Sequence, residues 1–231
     1  MPLFASQLSI NTQHESSWDT YIWDSNATTN YADSNQIKCN ANVGRGGTTI
    51  QRAILAFDLS DLANRNITSC TLTMKTMAGF GLSGTNDSRI SLLNVDDANI
   101  VYDEVTWNES KSGTSWSTAG GDFAPQVGTY DIGWPRAGNE TFTSDDLTNL
   151  IKNKAGGMAF VIIKVPDEST GSFNKAVQGH DEDDSSVVSD LPTLSITSTT
   201  DHRNVFKRRE MTKYMNKAVG IKGKASVPSL G

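Results

Sequence analysis

Cysteine is scarce in this chain of 231 residues, present only as Cys39 and Cys70. Two thiols cannot build a disulfide framework, and no Cys-x-x-Cys pair offers the spacing of a structural zinc site. Both lie among apolar residues in strand-like stretches, which reads as buried free thiols, with a disulfide between them as the alternative. Histidine is nearly as rare: His14, His180 and His202 are far apart and differently flanked, and no nucleophile, histidine and acid series accompanies them. No apolar run approaches the roughly 20 residues that a membrane-spanning helix needs. The opening MPLFASQLSINTQ has neither a basic start nor a sustained apolar stretch, so it does not read as a secretory signal. Proline is limited to 6 residues against 19 glycines, which suits a loop-rich β-protein without proline-rich linkers.

What is present is strand pattern. In TTIQRAILAFDL, Thr48 to Leu59, the residues Ile50, Ile54 and Ala56 alternate with Ala53, Leu55, Phe57 and Leu59. Both faces want burial, so this stretch is expected to be a central strand. Asp58, Ser60, Asp61 and Asn64 supply turn chemistry, and a second strand follows over Ile67 to Met77, with Ile67, Cys70, Leu72 and Met74 inward. Further strands are expected over Asp19 to Trp23, Gln36 to Ala41, Arg89 to Val95, Met158 to Val165, Ser172 to Gly179 and Thr193 to Ser198, and the stretch from Asp96 to Asp122 has little periodicity. One helix is predicted from Ser144 to Gly156. Ser144 caps it, Asp145 and Asp146 suit its positive end, and Leu147, Leu150 and Ile151 form its apolar stripe. The fold expected is all-β: a two-sheet antiparallel β-sandwich of the jelly-roll kind, with one short helix and a C-terminal arm.

QRAILAFDLSDL, with ITSCTLTMK, VTWN at Val105 to Asn108, DTYIW near the start and LPTLSIT near the end, resembles the DNRLRE domain family, jelly-roll modules related to carbohydrate-binding domains. The resemblance runs from about Asp19 to Ser198. It implies a non-catalytic surface module and a glycan ligand, acidic glycans included, and assigns no catalytic residue. In that family the position of Trp107 resembles core packing.

Charge divides the chain. Residues 1–200 hold 12 Lys and Arg against 24 Asp and Glu, a balance of −12, whereas residues 201–231 hold 8 against 2, a balance of +6. The organisation expected is an N-terminal arm or edge strand over 1–18, a jelly-roll domain over 19–200 and a basic arm over 201–231. Within the arm, Met211, Tyr214, Met215 and Ala218 recur at helical spacing among Lys207, Arg208, Arg209, Lys213 and Lys217. Such a segment folds by docking its stripe on a partner, either another protein or a second copy of the chain, and these residues are the candidate docking surface.

Sugar binding asks for exposed rings beside polar groups. Trp18, Trp23, Tyr31, Trp116 and Trp134 are candidates, with Trp116 and Trp134 preferred and Arg136 beside them as a cation. The acidic run HDEDD reads first as a solvated loop, with calcium held by Asp181, Asp183 and Asp184 as the alternative; no other cofactor is indicated. Paired acids elsewhere, such as Asp103 with Glu104, lack a catalytic setting, so no enzyme activity is expected. The glycine-bearing GRGG at Gly44 to Gly47 lacks a phosphate-loop ending, which argues against nucleotide binding. Nucleic-acid and membrane partners are not expected. The function favoured by the signal-free start, the lack of a catalytic motif and the basic arm is a structural or attachment protein on a bacteriophage virion surface. The alternative is a carbohydrate-binding module in an extracellular setting, and the third reading is a glycan-cleaving enzyme.

Overall fold

The computed structural model describes residues 4–34, 36–44, 47–76, 87–93, 99–131, 138–165, 168–169, 172–178 and 190–200. Among them are thirteen strands and one α-helix, an all-β sandwich as the residue pattern predicts. The strands are β1 (Phe4–Asn11), β2 (Trp18–Trp23), β3 (Gln36–Gly44), β4 (Gly47–Asp58), β5 (Asn66–Thr76), β6 (Asp87–Leu93), β7 (Glu109–Lys111), β8 (Thr114–Ser115), β9 (Phe123–Asp131), β10 (Gly138–Thr143), β11 (Met158–Lys164), β12 (Ser172–Gln178) and β13 (Thr193–Thr200), with helix α1 (Asp145–Lys154) between β10 and β11. All pairings are antiparallel among the described residues. One layer carries β1, β13, β5 and β10; the other carries β3, β4, β2, β11, β6 and β9. The two layers are joined at a corner, where Val177 of β12, a strand that pairs with β3, bridges Thr76 of β5, and β7 and β8 form a separate two-stranded sheet. Among the described residues no helix is long and apolar enough to cross a membrane.

Strand β4 is buried on both faces, as its composition requires. Ala53, Leu55 and Phe57 enter an inner cluster with Ile37, Cys39, Leu72, Met74, Val161, Ile163, Leu194 and Ile196. Ile54 and Ala56 enter a second cluster with Ile22, Phe160, Ile162, Val105, Trp107 and Trp116. Strand β11 divides its side chains in the same way because it pairs with β4 from Met158↔Asp58 to Ile163↔Ala53. Directly paired residues share a face.

In β5, Ile67 and Cys70 are both buried although they stand three positions apart, an odd spacing that strict alternation would forbid. The register explains it: β13 pairs Thr197 with Ser69 but Ser198 with Ile67, leaving Thr68 as the extra residue of a bulge. Thr68 is exposed and its Oγ1 donates to the Thr197 carbonyl at 3.1 Å. Cys39 and Cys70 are separate buried thiols, and burial pushes the Cys70 thiol up to about 12, so it packs as an apolar group.

Helix α1 closes one end of the inner cluster with Leu147, Leu150 and Ile151. The Leu147 N–H donates to Ser144 Oγ at 3.0 Å, satisfying one of the free donors of the first turn. Thr148 Oγ1 accepts from the Cys70 N–H at 3.2 Å, joining the helix to β5. After the helix, Gly156 adopts φ +92 and its N–H donates to the Leu59 carbonyl, while the Leu59 N–H donates to Gly157. The helix end is thereby tied to the end of β4.

Candidate functional site

The long connection before β9 is where polar chemistry gathers. Its described part, residues 99–122, lies over the outer face of β4 and β11 and supplies Ile100, Val105, Trp107 and Trp116 to the second cluster. With so little regular structure, its backbone groups need other partners. Asn30 Nδ2 donates to the carbonyls of Tyr102 (3.0 Å) and Val105 (2.8 Å), the Tyr102 hydroxyl donates to Ala32 O, and the Gly120 N–H donates to Trp107 O.

Where this connection meets β9, an open cleft of ≈ 370 Å³ is lined by Ser117, Thr118, Gly121, Asp122 and Phe123. Both carboxylate oxygens of Asp122 accept backbone N–H bonds at 2.8 Å, Oδ2 from Ser117 and Oδ1 from Thr118. The acid therefore shapes the turn it faces. The Phe123 ring is half-buried, with Lys164 Nζ at 4.9 Å and Arg52 Cζ at 5.3 Å from its centroid.

Behind the cleft lies a buried ionic group. Arg52, on β4, donates from Nε to Glu168 Oε1 at 2.8 Å and from Nη2 to Glu168 Oε2 at 2.7 Å, and its Nη1 donates to the Gly120 carbonyl at 2.6 Å. Its guanidinium lies over the Trp107 ring at 4.8 Å. The Arg52 and Glu168 side chains are 9% and 13% exposed, a bidentate pair largely withdrawn from water. Lys164 Nζ approaches Glu168 Oε2 only to 3.6 Å. Arg52 holds that carboxylate through two shorter bonds, so Lys164 is its more distant cation and lies beside Phe123.

The expected ring platforms fare differently. Trp116 is buried rather than exposed: 6% of it reaches solvent, and its Nε1 donates to the Thr106 carbonyl at 2.9 Å. That bond holds the ring in the second cluster, so it offers no face to a ligand. Trp107 is buried in the same cluster, in agreement with the core reading. Trp18 is half-buried against Tyr102 and Phe160, with centroids at 5.5 and 5.8 Å. Trp23 and Tyr31 are brought together, tilted at 6.2 Å, and Tyr31 stacks on Tyr21 at 4.3 Å. Burial, then the neighbouring Tyr31, push the Tyr21 hydroxyl up to about 12 against a lowering hydrogen bond with Ser34, so Tyr21 stays neutral.

Trp134, Arg136, Asp181, Asp183 and Asp184 lie outside the described residues, as do the arm positions Lys207, Arg208, Arg209, Met211, Tyr214, Met215 and Ala218. Among the described residues no group of three or more His, Cys, Asp and Glu is placed to hold a metal ion.

Sequence reading missed Arg52, Lys164, Glu168, Asp122 and Phe123. One signal was present: an arginine beside the run Ala53 to Phe57, which is apolar on both faces, must find a buried acid, because an unpaired charge there is costly. Comparison with known families matches residues 10–178 to the model of carbohydrate-binding module family 96. No curated protein matches the chain.

Proposed function

From the premise that the chain belongs to carbohydrate-binding module family 96, we propose that it binds a polysaccharide without cleaving it and that the cleft at Ser117–Phe123 is the contact site. The family match carries the reading, and the cleft's composition supplies a chemistry for it. The apolar face of a sugar ring can rest on the half-buried Phe123, while the hydroxyls of Ser117 and Thr118 and the carboxylate of Asp122 meet sugar hydroxyls. Lys164 adds donors beside the ring.

The match supports a carbohydrate-binding relative of the resembled modules without selecting the DNRLRE family by name. It reverses the order of the two leading sequence expectations, because nothing in the described fold points to a virion, whereas family membership points to glycan. Carbohydrate-binding modules are non-catalytic by definition, which fits a chain not expected to be an enzyme, and an extracellular or surface location accompanies the reading.

Electrophoresis through gels containing β-glucan, xylan, galactomannan or a polyuronate tests it. The chain is expected to be retarded by at least one of them, and Phe123→Ala to weaken that retardation about tenfold, the size of a lost ring contact plus desolvation. Unretarded migration in every gel would overturn the reading. Full retardation of Phe123→Ala would move the site elsewhere.

A further inference from the structure

We propose that Arg52 is a positioning residue for the cleft, a group that never touches the ligand but fixes the geometry of the side chains that do. The proposal rests on the carbohydrate reading for its ligand, and on the geometry around Arg52 for everything else.

Arg52 projects from a strand paired along its length, so its Cα is held firmly. Its planar guanidinium then reaches two segments that are otherwise remote from each other. Through Nη1 it holds Gly120, and through Nε and Nη2 it holds Glu168, 116 residues from Arg52 in sequence. Gly120 immediately precedes two residues that line the cleft, Gly121 and Asp122. Glu168 in turn faces Lys164, which lies over Phe123. The wall of the cleft and the cation beside its ring are therefore registered to the same strand by one side chain.

The backbone is adapted to this contact. Gly120 has φ +92, and a Cβ there would overlap Arg52 Nη1 and fall 2.8 Å from Trp107 Cζ2. Only glycine lets the carbonyl approach a guanidinium that is itself stacked on Trp107. Stability alone does not account for the arrangement: a buried ion pair costs desolvation of both partners, and replacing both with uncharged groups is often neutral for the fold. A lysine could not make the same three bonds, because it offers one nitrogen on a flexible stem and not a rigid fork. What the fork supplies is pre-organisation, with the binding groups already placed before the ligand arrives.

The test compares Arg52→Met, the double variant Arg52→Met/Glu168→Gln, and Arg52→Lys. Each is followed by thermal melting, gel retardation in the polysaccharide that retards the wild type most, and hydrogen exchange of backbone amides. Arg52→Met strips Glu168 of its bidentate partner, leaving only Lys164 at 3.6 Å, and is expected to melt lower. The double variant removes both charges and is expected to melt close to the wild type, yet to bind about tenfold more weakly because the wall is no longer registered. The amides of Ser117, Thr118 and Gly120 are expected to exchange about tenfold faster in it, while those of β5 and β13 keep wild-type rates. A merely structural role predicts the opposite: recovery of melting and binding together, with unchanged exchange near the cleft. That result would overturn the proposal. Should the double variant not fold, Arg52→Lys decides, since it keeps the charge; weakened retardation at near wild-type melting supports positioning, and full retardation overturns it. If no polysaccharide retards the wild type, the carbohydrate reading fails while exchange still judges Arg52: faster exchange confined to the cleft wall upholds its positioning role, and unchanged exchange removes it.

Discussion

The two apolar clusters that share strand β4 are built on different principles. The inner one is largely aliphatic and drawn from strands and the helix, with Phe57 and Phe142 as its rings. The outer one draws Ile100, Val105, Trp107 and Trp116 from an irregular connection and lies beside the ionic group of Arg52 and Glu168. The inner cluster holds two layers together. The outer cluster fastens a connection onto a finished layer, and the cleft opens where that fastening meets β9. One strand thus supplies fold stability from one face and site geometry from the other.

Truncating a ring in each cluster separates these roles, and the largest effects are expected here. Phe57 is fully buried, so Phe57→Ala is expected to cost about 4 kcal/mol, with the cost falling on the whole fold. Trp107→Ala is expected to cost about 3 kcal/mol, the lower end for such a truncation, because its cavity opens under a connection that can settle. Below their melting transitions the two variants should differ in kind: Phe57→Ala retains polysaccharide retardation, and Trp107→Ala loses it because Arg52 has lost its stacking surface. Urea unfolding with gel retardation at low temperature measures both. Equal loss of binding in the two variants would break the distinction between the clusters.

A smaller change sharpens it. Gly120→Ala adds one methyl group to the outer region, where positive φ and the Arg52 guanidinium oppose it. The expected cost is about 2 kcal/mol of stability from strain and overlap. Binding should fall more than this modest destabilisation accounts for, since the methyl displaces the carbonyl that Arg52 holds. Calorimetric melting paired with retardation checks it, and wild-type retardation would show that the cleft tolerates the shift.

How much of this was legible in the sequence follows from how local each signal is. The two-sided pattern of Ile50 to Leu59 and the capped helix after Ser144 needed only neighbouring residues, and both stand as expected. The bulge at Thr68 was not legible, because it is fixed by the register of a strand some 129 residues away. The site was harder still. Arg52 meets Glu168 across 116 residues, and Trp116 turns inward because Thr106 offers its carbonyl. Ring content marks candidates for a platform, but exposure is set by contacts that no local window contains.

The smallest effect expected lies at the far end of β4 and concerns acid. Asp58 is the last residue of the strand; its N–H donates to Ser17 Oγ at 2.8 Å, and its Oδ1 accepts the Ser60 N–H at 2.9 Å. Burial acts to raise its pKa, but the hydrogen bonds from the Ser60 backbone and side chain, a further one from the Ser16 backbone and the nearby His14 outweigh it, so the carboxyl titrates below its ordinary range. A folded pKa below the unfolded one means that the unfolded chain binds the proton more readily. The contribution of the ionised carboxylate is therefore complete above the unfolded value of about 4, and it is lost as pH falls from there through the folded value. Asp58→Asn removes the charge and this dependence with it. The variant is expected to be slightly less stable than the wild type at pH 7 and pH 5, with the difference shrinking below about pH 4. Polysaccharide retardation at pH 7 should be unchanged, since the hydrogen-bonded corner around Asp58 does not include the lining of the cleft. Urea unfolding at pH 7, 5, 4 and 3 measures the stability difference; a gap that stays constant or widens toward pH 3 would show that Asp58 is not held in its charged form by these bonds.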